Sequence, residues 1–201
     1  MRIIKLFIGK NKTAFIAAAV IFFAGSVMGA VSSCKMSPSD ADELKGYISP
    51  YLDTDAASAV KPGAIFAADT ANHLKFASAA LLCALSIYLV PVFAFVLGLK
   101  GYQLGFATGF ISANFGIRGT VLALSSTLIS YWFAVPLYLL MFVHLLKFSA
   151  EMKKRAASMS VRERRGEYMS YFIPVFIACS LLCASAGVGA VLTPLIVDFM
   201  N

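Results

Sequence analysis

The residues of this chain best suited to chemistry are few and scattered. There are two histidines, His73 and His144, and four cysteines, Cys34, Cys83, Cys179 and Cys183. Cys179 and Cys183 are one helical turn apart and share a face, but no histidine or acid completes a metal-ligand set around them. Their role reads as small-residue packing, and no disulfide framework is indicated. His144 lies just before Lys147 and reads as an interfacial hydrogen-bonding residue. His73 precedes the second apolar run, on its polar side. No HExxH, GxSxG or nucleotide-binding loop occurs. Gly105-Phe106 and Gly109-Phe110 do not make a phosphate loop, because no Lys-Ser/Thr follows them. We therefore assign no catalytic residue, no metal ligand and no cofactor, and the expectation is a protein that is not an enzyme.

The polar groups inside the apolar runs are neutral. The densest set is Ser125, Ser126, Thr127 and Ser130. These hydroxyls can bond across helices or back to their own backbone, at about 1 kcal/mol or less each. They can also line a path for a small solute. Packing is the preferred reading.

The elements that carry these residues follow from composition. The chain has 201 residues, of which 60% are hydrophobic and only 13% charged, against about 25% charged in an ordinary soluble domain. Long apolar runs cover about 13–33, 76–99, 101–117, 119–146 and 168–197. They are continuous, whereas barrel strands alternate in segments of about ten residues. The expected fold is all-α: a single polytopic transmembrane helical bundle of five spans. The net charge of +7 does not point to nucleic acid, because the cations sit beside helix ends.

The loops set the expected orientation. Arg2, Lys5, Lys10 and Lys12 precede the first run. The loop 147–167 carries Lys147, Lys153, Lys154, Arg155, Arg162, Arg164 and Arg165. Placing both on the cytoplasmic side, with Lys100 as a third inner turn, satisfies the excess of cations inside. The N-terminus is then cytoplasmic, and the acidic segment 34–74 and the C-terminus face outside, in a bacterial cytoplasmic membrane. The first run is longer than the usual core of a cleaved signal peptide and reads as a retained helix, although Val31-Ser32-Ser33-Cys34 loosely echoes a lipidation site. Within the outer segment, Ser37-Pro38-Ser39-Asp40 predicts a capped short helix through Tyr47. Pro91 is expected to kink the second run.

One stretch organises the rest. Gly101, Gly105 and Gly109 recur every four residues, between Lys100 and Arg118. On a helix they form one groove without side chains. The uncharged run is roughly 26 Å long at 1.5 Å per residue, close to a bilayer core of about 30 Å. This spacing predicts close helix contact. It does not decide between contact within one chain and contact between two copies, so a homo-oligomer stays open.

Leu99-Lys100-Gly101, Gly105-Phe106 and Gly109-Phe110 resemble the stage II sporulation protein M family. The layout is similar too: a basic N-terminal helix, a long outer loop, a Leu-Lys-Gly turn, a proline (Pro136) in the fourth helix and a basic loop before the last. Where family members often carry a polar, proline-containing motif in the fourth helix, this chain reads Leu128-Ile129-Ser130-Tyr131. The resemblance implies a non-catalytic scaffold that recruits cell-wall hydrolases, the stage II sporulation proteins D and P, to the membrane. The alternative, from the prolines and the hydroxyl cluster, is a small transporter or permease subunit.

Overall fold

A computed structural model describes the backbone of residues 11–52, 62–155 and 159–200. Within these it describes all side chains except those of 49–52, 87, 117–119, 121–130 and 193–200. The elements are α1 (Lys12–Cys34), α2 (Pro38–Leu52), α3 (Pro62–Cys83), a 3-10 turn (Ile87–Leu89), α4 (Val90–Arg155) and α5 (Val161–Met200). No strand occurs among the described residues. Four stretches are long and apolar enough to cross a membrane: Lys12–Cys34, Val90–Gly116, Tyr131–Arg155 and Val161–Leu192. The helix α3 is not among them, since Asp69, His73 and Lys75 lower its hydropathy.

α4 is two helices joined at Gly116, whose φ of 59° and ψ of −145° lie outside the helical region. A side chain is strained at that φ, and glycine is not. We call Val90–Gly116 the first arm and residues 117–155 the second arm.

Two sequence expectations are corrected here. The runs 76–99 and 101–117 do not meet in a turn at Lys100, because helix continues unbroken through that residue. The chain reverses instead at 84–89, and Pro91 opens α4 rather than kinking a helix. In the first turn its missing N–H costs nothing, since that group has no helical partner anyway. The short helix expected from Ser37 is present as α2 and runs on to Leu52. Ser37 caps it: its Oγ accepts from the Asp40 N–H at 3.3 Å, and its carbonyl accepts from the Ala41 N–H at 2.9 Å.

α1 is apolar all round, so side-chain size rather than polarity distinguishes its faces. Ile16, Val20, Phe23, Val27 and Val31 follow helical spacing and are exposed. Ala18, Phe22, Gly29 and Ser33 are buried on the opposite face, against the first arm of α4. The two helices run parallel: Gly25 meets Gly98, Gly29 meets Tyr102, and Ala30 and Ser33 meet Gly109.

The remaining helices pack through rings. α3 folds back antiparallel to the first arm, and Phe76 and Phe93 meet across this hairpin with centroids 4.9 Å apart. Tyr138 of the second arm lies 4.4 Å from Phe76, and Phe142 stacks 6.1 Å from Phe93. α5 returns antiparallel to the second arm, with Phe148 against Tyr168 and Tyr171 at 5.3 and 4.6 Å. The Tyr171 hydroxyl donates to the Ala80 carbonyl at 3.0 Å, which ties α5 to α3.

Candidate functional site

The face of α3 that meets α4 carries Asp69, Asn72, His73 and Phe76. Spacings of three and four put these residues on one side of a helix. The first arm brings Lys100 to them. This lysine is only 7% exposed. Its ammonium donates to the Asn72 main-chain carbonyl at 3.3 Å and also to the Asn72 side-chain oxygen. One asparagine thus supplies two acceptors to one cation. Asp69 lies one turn before Asn72 on the same face and is half-buried.

The second arm closes the cluster with Tyr138, whose ring also packs on Phe76. The Tyr138 hydroxyl lies 2.6 Å from His73 Nδ1, and both residues are buried. With the phenol donating, Nδ1 is the acceptor and the ring proton sits on Nε2. His73 is therefore held in one orientation by a bond that spans two helices.

This arrangement overturns the expected placing of Lys100 inside and His73 outside. The two lie side by side, because α3 and the first arm are a hairpin whose turn is equally far from Asn72 and Lys100. Lys100 lies roughly 15 Å along the first arm, near the middle of a stretch running from Val90 to Gly116. An ionisable side chain at such depth is expensive unless it is paired, and it commonly marks function.

The residues singled out in the sequence fall elsewhere. A Cβ on Gly101 would collide with the main-chain carbonyl of Phe22, and one on Gly105 with that of Ser26. A Cβ on Gly109 would stand 2.6 Å from the Ser33 Oγ. All three contacts are within the chain, to α1. Ser125, Ser126, Thr127 and Ser130 fall on helical backbone, but their side chains lie outside the described residues. His144 stacks on Tyr171 with centroids 5.0 Å apart and planes within 6°. Cys179 and Cys183 are partly buried on α5, and no group of three ligating side chains is found among the described residues.

The chain matches the family model described as stage II sporulation protein M over residues 18–194, most of its length. The chain belongs to the stage II sporulation protein M family. No curated protein and no solved structure matches it. Membership places this family member among sporulation-related membrane proteins, and its four apolar helices fit a multi-pass membrane protein. The matched residues span both the glycine contact and the polar cluster. The sequence pointed to Lys100 only as a boundary. The missed signal was the polar face of α3, Asp69, Asn72 and His73, which helical spacing brings together.

Proposed function

We propose that this protein is a non-catalytic membrane scaffold that docks cell-wall hydrolases through α2. The observation that carries this reading is the position of α2. The other helices each pack extensively on a neighbour, whereas α2 makes no substantial contact with them among the described residues. Its Asp40, Asp42, Glu43 and Tyr47 are exposed. The hydrolases are those the family resemblance implies, the stage II sporulation proteins D and P.

The parallel course of α1 and the first arm supports the orientation this requires. Two parallel helices need an odd number of crossings between them, and α3 supplies one. Five crossings then put the basic N-terminus and the basic 147–167 loop in the cytoplasm and α2 outside. The bundle resides in the bacterial cytoplasmic membrane on this reading.

The test is capture of the two hydrolases from detergent-solubilised membranes on the tagged full-length protein. Tyr47→Ala combined with Glu43→Lys is expected to abolish capture while the protein elutes as before from a sizing column. Capture equal to that of the unaltered protein would overturn the assignment of α2.

A further inference from the structure

A groove of about 640 Å³ lies between α3 and α5. Its α3 wall includes Leu74, Ala77 and Leu81, and its α5 wall Phe172, Phe176 and Cys179. Ser78 also lines it, but the Ser78 hydroxyl donates to the Lys75 main-chain carbonyl at 2.9 Å. The groove therefore offers a ligand almost entirely van der Waals contact. We propose that it holds an acyl chain of an anionic phospholipid whose phosphate is bound by Arg162 and Arg165.

The arginines are placed by α5 itself. The helix runs unbroken from Val161 through the groove, so residues seven apart fall on one face. Arg162, Met169 and Phe176 form one such row, and Arg165, Phe172 and Cys179 form another beside it. Each row starts at an arginine and ends in the groove. Arg162, Arg165 and Met169 are exposed.

The charge of these two arginines is not cancelled by the acids around them. Glu163 accepts from the Ser160 N–H at 2.8 Å, and Glu167 lies 3.5 Å from Arg155. Neither Arg162 nor Arg165 makes an ion pair or a side-chain hydrogen bond among the described residues. Two guanidinium groups in line with an apolar groove complement a phosphate in line with an acyl chain.

The lengths agree. At 1.5 Å per residue, Arg165 stands roughly 10 Å before Phe172 and roughly 21 Å before Cys179. One leaflet of hydrocarbon is roughly 15 Å, half a bilayer core of about 30 Å. A chain that starts at Arg165 therefore enters the groove and ends within it. A partner helix fits less well. Helices in lipid approach closely over small residues, and α5 presents Phe172 and Phe176 here. A thin chain can thread between rings that would hold a helix off.

Native mass spectrometry of the full-length protein, titrated in detergent with phosphatidylglycerol or phosphatidylcholine, tests the proposal. We expect one phosphatidylglycerol to be retained about 10- to 30-fold more tightly than phosphatidylcholine. Arg162→Gln combined with Arg165→Gln is expected to bring the two lipids level. Ser78→Phe, at an exposed position on the groove wall, is expected to release the lipid although both arginines remain. Glycerol phosphate, the headgroup without its chains, is not expected to compete. Equal retention of the two lipids by the unaltered protein would mean an unselective lipid coat and would overturn the proposal. So would unchanged phosphatidylglycerol binding in either variant, displacement by glycerol phosphate, or a second copy of the chain bound in the lipid's place. Each of these failures leaves hydrolase capture, and so the scaffold reading, unaffected.

Discussion

Between α1 and the first arm of α4 the backbones touch, whereas where α3, both arms of α4 and α5 meet, aromatic rings hold the helices apart. At the first interface the contacts are glycine to main chain: Gly101 to Phe22, Gly105 to Ser26, and Gly29 to Tyr102. At the second they are Phe76, Phe93, Tyr138, Phe142 and Tyr171, with centroids about 4.4 to 6.1 Å apart. In a bilayer the released surface is as apolar as the buried surface, so helices associate by close packing and hydrogen bonds. Glycine maximises the first at the loss of any adaptability. The ring interface has side chains that can rotate, and it also carries the hydrogen bonds of Tyr138 and Tyr171.

The contrast predicts a graded response to substitution. Gly105→Leu should have the largest effect. Its side chain would have to occupy space held by the Ser26 backbone, and backbone cannot turn aside. We expect α1 to detach from the first arm, read as loss of the sizing-column peak and rapid proteolysis. A normally assembled Gly105→Leu protein would erase the distinction between the two interfaces.

Phe93→Ala comes next. Phe93 is fully buried between Phe76 and Phe142. In a soluble core such a truncation costs about 3–5 kcal/mol. Here the transfer into lipid contributes little, so we expect about 2–3 kcal/mol from lost contacts. Unfolding in detergent mixtures measures it, and a cost as large as that in a soluble core would show that the rings are not lipid-like in their surroundings.

Tyr138→Phe should have the smallest effect. It keeps the ring against Phe76 and removes only the hydroxyl at His73. An interhelical hydrogen bond in a membrane is worth about 0.5–1.5 kcal/mol. The same unfolding assay resolves it, and a loss as large as that of Phe93→Ala would make the polar cluster, rather than the rings, the main tie.

Much of the fold was legible in residue types. Apolar runs marked the membrane helices, Ser37 marked the start of α2, and Gly101, Gly105 and Gly109 marked a close contact. Which helix the glycines touch was not legible, because spacing describes one surface and not its partner. The hairpin was misread for a different reason. A lysine in an apolar run looks like a boundary, since a lone charge in lipid is costly. That rule fails when a partner waits nearby in space, and Asn72 lies far from Lys100 in sequence. Pro91 was the better boundary marker, because proline suits the first turn of a helix. The hydrogen bond between His73 and Tyr138 joins residues still farther apart, and no local pattern contains it.

The tie between Lys100 and Asn72 also bears on the order in which the chain is made. α3 leaves the ribosome first, bearing Asp69, His73 and Lys75, and is a poor candidate to settle among lipids unaided. The cation that matches its polar face is not yet synthesised. Only when the first arm of α4 has emerged can the two helices cover each other's charges. We therefore expect α3 and the first arm to enter the bundle as one unit, a hairpin.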